Sequence, residues 1–543
     1  MAAFAFVSSG IAWKALTGIV LALLAVVVWG LTSVLLRNRK SPLRIVPGPP
    51  SPNWLLGNLK ELNDSEDDVI LDTWAATYGK VVRLNGFLES PLILIADTRA
   101  LHHIFSHSSE YLRPEYIRRE LSKLLCEGAL VIGEKHKQQV GTQANPAFGH
   151  AQVRDATSIF FEKALELRDQ WAARIQDGQQ LARINALQGL NSVTLDILGL
   201  AAFNHDFEAL NLEKKHNELA ETMQRVLSMP ETKPMLLLLR NLSPHLNYLL
   251  DPNMPLVDHA VSLMRRIGAQ LIAKRKAEIL CEMAEKNGPG IKYDAKEKKD
   301  VLSLLVKANI ASDTGPASQS MSDEDVLDRD RFVVTGHETT GKAVSWCLYA
   351  LTQAQSVQMK LREELSKVHT ESPSMEELMG LPYLDMVARE TLRLYAPVTS
   401  TARVATQPDI IQLNTPFIGR DGREHHSIKV PEGTAFLISI TALHRSKELW
   451  GDDALEFRPE RWENPPEAAA DIPGAWGHLL TFGGGPRACI GYLIRQARTR
   501  RQRRYGGKMY QLKAEETLPQ PEGAYIEYCN SELISCILLA LTK

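Results

Sequence analysis

Cysteine is scarce in this chain and never paired. The six cysteines, Cys126, Cys281, Cys347, Cys489, Cys529 and Cys536, are scattered over 543 residues without a CxxC spacing. That excludes a disulfide framework and reads as reduced thiols on the cytosolic side. Excess charge is lacking too: 62 basic against 64 acidic residues leave a formal charge of −2, so no attraction to nucleic acid follows. No internal repeat stands out. The glycines at 483–485 are not followed by the G-K-[ST] of a phosphate loop, and His337-Glu338 lacks the second histidine of a zinc H-E-x-x-H, because that position is Gly341. What remains is an ordinary globular composition, 44% apolar and 23% charged, long enough for one large domain or two to three smaller ones.

One long apolar run is present. Ala15 to Leu36 carries no charge over twenty-two residues, about 33 Å as a helix and enough for a bilayer core. Arg37, Arg39, Lys40 and Arg44 follow it, against only Lys14 before it. The positive-inside bias predicts a single-pass anchor at 15–36, a short lumenal stretch at 1–14 and the rest of the chain in the cytosol. A cleaved signal peptide is the competing reading. The run is longer than such a peptide needs, and no small-residue cleavage site precedes the basic cluster. Residues 37–60, with the prolines of Val46 to Trp54, form a basic, proline-rich and fairly stiff hinge.

From about residue 60 the pattern is mainly α with a minor β region, in one domain over 61–491. Helices are predicted over Ala151–Asp177, Val257–Glu285, Asp323–Thr352 and Ser356–Val368. Lys80–Leu101 alternates like a short sheet that turns around Gly86–Ser90, and 409–419 and 434–441 read as further strands. The apolar run Met235–Leu242, between prolines 230, 234 and 244, reads as a buried helix turn or as a lipid-facing entry for an apolar substrate.

The chemistry concentrates in "FGGGPRACIG", Phe482 to Gly491. A thiolate ligand must be deprotonated, with its basicity set by hydrogen bonds and nearby charge. Glycines let backbone N–H groups approach the sulfur of Cys489. Arg487 supplies positive charge for an anionic group on the same cofactor, and Phe482 covers one side. These features suit a sulfur bound to iron. Three companion stretches stand upstream: "TGHETTG" (Thr335–Gly341), "ETLR" (Glu390–Arg393) and "FRPERW" (Phe457–Trp462). E-x-x-R alone is worth only a few tenths of a kcal/mol as an i,i+3 pair.

The loop resembles the haem-binding loop of the cytochrome P-450 superfamily, F-x-x-G-x-R-x-C-x-G, with Phe482, Gly485, Arg487, Cys489 and Gly491 at all five fixed positions. The resemblance covers about residues 40 to 491 and implies the P-450 fold preceded by one transmembrane helix. It implies haem b with Cys489 as the axial iron ligand. Gly336 would then leave a groove for dioxygen, and Glu338 and Thr339 would be the acid–alcohol pair that delivers protons. Glu390, Arg393 and Arg461 would form a structural cluster that buttresses the loop. Arg403 would meet a haem propionate, and Val398, Thr399 and Ser400 would face substrate. The anchor, the hinge and the "GHETT" variant resemble a microsomal fungal member. That implies the endoplasmic reticulum membrane, NADPH-derived electrons through a membrane-bound reductase, and insertion of one oxygen atom from O2 into a lipophilic small molecule of secondary metabolism, terpenoid or aromatic.

The chain departs from that pattern in three places. His136 stands where relatives carry a haem-side His or Trp, but the arginine expected four residues on is Val140. Glu324–Val334 is more charged than the run that normally leads into the oxygen site. After Gly491 an apolar-faced helix is expected, yet Tyr492 to Lys513 holds eight basic residues and the pair Gly506-Gly507. Residues 492–543 are therefore either a genuine basic tail or the product of a misjudged exon boundary in the gene model. In the second case a catalytically impaired haem protein is the alternative to an enzyme.

Overall fold

The computed structural model describes residues 17–18, 21–22, 24–26, 28–30, 32–64, 69–125, 150–174, 183–211, 218–227, 253–286, 302–303, 306–307, 310, 336–368, 370, 373–489, 491 and 525–527. His136, Val140, the Met235–Leu242 run, Glu324–Val334 and most of the tail lie outside them. The described residues of 17–39 are all helical, and Leu21, Leu24, Val26, Val28, Trp29 and Leu36 among them are exposed.

The helices that shape the body are α1 (Val69–Tyr78), α2 (Thr98–Ser106), α3 (Glu115–Leu125), α4 (His150–Ala173), α5 (Ala186–Phe203), α6 (Glu218–Leu227), α7 (Met254–Lys286), α8 (Gly336–Gln353), α9 (Gln355–Leu365) and α10 (Pro382–Leu394). α4, α7 and α9 fall where the 3.6-residue periodicity puts them, within a few residues. α5 is long and apolar enough to cross a membrane by length and composition, yet just over half of it is buried inside the body. It packs against α4 and α8. Its start is set by Asn185, whose side chain accepts from the N–H of Gln188, and its end by Asn204 in the left-handed region at φ 51°.

The sheet gathers distant segments. Its order is β1 (Val81–Asn85), β2 (Pro91–Ile95), β8 (Ala435–Ser439), β5 (Ser400–Ala405), β3 (Tyr111–Leu112). β2 and β8 run parallel and the other neighbours antiparallel, with Arg403 opposite Phe436 and Ile93 opposite Phe436 on the other side. The short sheet expected in Lys80–Leu101, with its turn around Gly86–Ser90, is the β1–β2 hairpin turning through Phe87–Glu89, and the stretch then becomes α2. β1 is not half-exposed as alternation implies, since Val81 to Leu84 are all buried. A second hairpin, β6 (Asp409–Ile418) with β7 (Glu424–Val430), loses its ladder between Gln412 and Phe417. Pro416 lies in that gap and has no N–H to offer. Far along the chain, β9 (Tyr525–Glu527) pairs antiparallel with β4 (Arg183–Asn185), Ile526 opposite Ile184.

Asp97 joins the two hairpins to α2. It is fully buried. Its carboxylate accepts from the N–H of Ala100, which caps α2, and from the N–H groups of Asn414 and Thr415 at 2.9–3.0 Å, which the interrupted ladder of β6 leaves over. Asp97→Ala strands three donors at once, the buried N–H of Ala100 and the part-buried N–H groups of Asn414 and Thr415. A buried donor left unmet costs about 1–3 kcal/mol, so we expect a loss of about 2 kcal/mol in urea unfolding, with Asp97→Asn milder.

Candidate functional site

The cysteine loop is built from two single turns, Leu480–Phe482 and Gly485–Arg487, joined by glycines. Gly483 and Gly485 take φ of 71° and 65°, which side chains with a Cβ resist. Gly485 is doubly constrained, because a Cβ there would lie 2.3 Å from the carbonyl oxygen of Phe105 in α2. Gly484 meets the carbonyl of Pro473 at 2.2 Å in the same sense. The loop therefore seats main chain on main chain. Within it, the N–H of Gly483 donates to Leu480 at 2.7 Å and that of Cys489 to Phe482 at 2.7 Å. Phe482 meets Trp476 edge-on at 5.8 Å.

Cys489 is open on one face. Protein surrounds the thiol closely enough elsewhere that burial pushes its pKa above the ordinary value, opposed by the N–H of Gly491. A thiol so placed ionises readily only against a nearby cation, such as a bound metal. Cys347 offers the contrast. It is wholly buried in α8 beside Thr391 of α10, and burial pushes it up to about 12.

Three arginines gather beside the loop. Arg403 of β5 is 6% exposed, lies over the ring of Phe105 at 5.5 Å and donates to Thr401 Oγ1 and the carbonyl of Ala402. Burial first, then the charges of Arg113 and Arg487, hold it down to about 9. Arg113 is lowered by burial and by Arg487. Among the described residues, no carboxylate forms an ion pair with Arg403 or Arg113. Like charges crowded into a half-buried space are stable only with an anion between them.

Behind the loop the charges are paired instead. Glu390, Arg393 and Arg461 are essentially inaccessible. The Glu390 carboxylate accepts two bonds from Arg393, at 2.9 and 2.8 Å, and one each from Arg461 Nε, Trp462 Nε1 and the N–H of Arg458. Arg393 also donates to the carbonyls of His444 and Ala454, and Arg461 to Trp450 and to Asp453. Thr481 Oγ1 donates to the carbonyl of Leu392, tying the loop to α10 directly.

In α8, the N-terminal turn carries the oxygen-site motif. Thr339 is exposed, and its hydroxyl bends back to the Gly336 carbonyl at 3.3 Å. Glu338 pairs with Lys342 one turn on, at 2.7 Å. A Cβ on Gly336 would meet only Leu198, at an ordinary 3.6 Å. The glycine that packing demands is Gly341, where a Cβ would lie 2.1 Å from Asn191 Oδ1 of α5. Thr194 Oγ1 of α5 donates to the carbonyl of His337 across the same crossing.

Comparison with known sequences agrees with this geometry. The family model described as Cytochrome P450 matches residues 47–494. This chain belongs to the cytochrome P450 family. It is 47% identical over 474 residues to cytochrome P450 monooxygenase 205 of Postia placenta, covering 87% of this chain and 86% of the relative. Cytochrome P450 monooxygenase 128 of the same fungus is 45% identical over 475 residues, with the same coverage. Cytochrome P450 monooxygenase claQ of Ampulloclitocybe clavipes is 34% identical over 466 residues, covering 84% and 83%. The chain is thus a P450 monooxygenase, and the family implies thiolate-ligated haem iron, a redox partner, O2 and a small-molecule substrate.

The residues fit that cofactor. Cys489 is exposed, and Arg403, Arg113 and Arg487 would form the cationic side that haem propionates require. Arg113 was not singled out by the motifs, because Tyr-Leu-Arg-Pro is unremarkable as a sequence and gains meaning only beside Arg403. With Val140 in place of an arginine, it would supply a further cation. Arg113→Ala should therefore speed haem transfer to apomyoglobin by roughly tenfold, the scale of one charge-assisted hydrogen bond, without moving the carbon monoxide band.

Proposed function

We propose that this P450 is a membrane-anchored haem-thiolate monooxygenase of fungal secondary metabolism, with a lipophilic terpenoid or aromatic substrate. Electrons come from NADPH through a membrane-bound reductase, and residues 61–491 face the cytosol from the endoplasmic reticulum. The observation that carries the chemistry is the meeting of an exposed Cys489, which accepts from the N–H of Gly491, with Arg403 and Arg113 beside its loop, neither of them in an ion pair among the described residues. Haem held there would supply the oxygen activation, and the overall reaction would place one atom of O2 in the substrate and the other in water.

The protein's own residues bind and orient. Gly484 and Gly485 seat the loop, the arginines would hold the propionates, and the Glu390 cluster holds the loop from behind. Thr339 offers an exposed hydroxyl on the same turn as Glu338. The ion pair of Glu338 with Lys342 is partly exposed and worth under about 1 kcal/mol, so the carboxylate can exchange partners while a proton passes. Val398, 47% exposed ahead of β5, with Thr399 and Ser400, offers an apolar-to-polar edge to substrate.

Anchoring is supported by the exposed apolar helix before Arg37, a face that water disfavours and a bilayer accepts. Residues 1–14, 15–36 and 37–60 then serve as lumenal stretch, span and hinge. The pairing of β9 with β4 joins residues 525–527 to the folded body, and so favours an enzyme over an impaired paralogue.

Two experiments test the reading. Reduced membranes carrying this chain should give the strongly red-shifted carbon monoxide band of a thiolate haem, and Cys489→Ala should abolish it while the protein stays in the membrane. A parental chain without that band would overturn the assignment. Deleting residues 1–40 should release the protein from the high-speed pellet, and continued sedimentation in alkaline carbonate would place the anchor elsewhere.

A further inference from the structure

His444 is fully buried at the end of the short helix Ile440–His444, with its main-chain carbonyl and its ring Nε2 engaged by different parts of the site. Its main-chain carbonyl accepts from Arg393 Nη1 at 2.6 Å, inside the Glu390 cluster. Its ring accepts, at Nε2, the N–H of Leu480 at 2.9 Å. Leu480 opens the turn that leads to Phe482, whose carbonyl takes the N–H of Cys489. A continuous series of hydrogen bonds thus runs from Glu390 through Arg393 and His444 to Leu480 and the cysteine loop.

The chemistry of the ring fits that duty. To accept from Leu480, Nε2 must be bare and the proton must sit on Nδ1. Burial, then the positive charge of Arg393, keeps the ring neutral down to about pH 3. Nδ1 is buried without a hydrogen-bond partner among the described residues, so the ring carries a polar cost that an apolar side chain would avoid. The cost is offset only at Nε2, where the alternative is a buried Leu480 N–H with no acceptor.

We propose that His444 is a positioning residue, which transmits the restraint of the buried Glu390–Arg393 pair to the loop that presents Cys489. The proposal rests on the reading of Cys489 as the haem ligand. It predicts that the loop, once released at Leu480, lets the sulfur drift from the geometry in which it stays a thiolate.

The test compares full-length His444→Leu and His444→Gln with the parent, in membranes loaded with haem. Leucine fills the space without an acceptor, and the glutamine amide oxygen can take the place of Nε2. Two readouts are used: the ratio of thiolate-type to neutral-thiol-type carbon monoxide bands, and hydrogen–deuterium exchange of the peptide holding Leu480. His444→Leu should lower the band ratio about tenfold, the scale of one unmet buried hydrogen bond, and should expose the Leu480 amide. His444→Gln should restore both. An unchanged ratio and protection in His444→Leu would overturn the proposal. So would equal loss in both variants, which would make the residue a packing element, or failure of both to fold, which would make it a determinant of the fold. Exchange at Leu480 reads the bond whether or not haem is bound. A parent that lacks the thiolate band therefore refutes the cofactor assignment separately, while the exchange pattern still decides on His444.

Discussion

The Glu390 carboxylate is the point on which the rest of the structure depends. Five donors converge on it, from α10, from Arg461 and Trp462, and from the main chain at Arg458. Taking such charges out of water costs several kcal/mol each, and their mutual attraction returns that only with every lone pair used. Here it is used. The cluster is therefore better understood as a device for register than as a source of net stability. Through Arg393 and Arg461 it fixes the carbonyls of His444, Trp450, Asp453 and Ala454, so the long connection after β8 is held at several points from one helix.

The two arginine groups of this protein show how compensation separates structure from binding. Arg393 and Arg461 surround a carboxylate and donate to carbonyls, so they leave no charge to offer a ligand. Arg403 and Arg113 repel each other and Arg487, with burial adding to the cost. Side chains that are equally basic in sequence thus do opposite work, and the difference lies in what stands opposite. The loop between the two groups inherits rigidity from one and an anion-seeking face from the other.

Helix α8 is positioned by a comparable economy of volume. Gly341 lets α5 approach until Asn191 occupies the place of a Cβ, and Thr194 closes the crossing on the His337 carbonyl. The motif residues Glu338 and Thr339 then sit on the turn that this crossing orients, while Cys347 anchors the far end against α10. Oxygen motif and cysteine loop are thereby referred to the same helix, α10, by separate contacts.

Much of this was legible in the sequence because short-range chemistry dictates it. The glycines, proline and arginine around Cys489 constrain a turn whatever surrounds them, and the periodicity of α4, α7 and α9 is local. The E-x-x-R pair was legible only as a candidate, since three residues' spacing says nothing about burial. The alternation over Lys80–Leu101 gave a sheet but not its burial: Val81 to Leu84 are buried on both faces, because elements arriving from elsewhere cover them. Arg113 and His444 carried no local signal at all. Each draws its meaning from a partner far along the chain, Arg403 in one case and Leu480 in the other. The sequence by itself determined which atom is offered to a metal and which helix carries the oxygen motif. Only the tertiary structure decided which charges are compensated and which are left for a ligand, because compensation depends on distances that close across hundreds of residues.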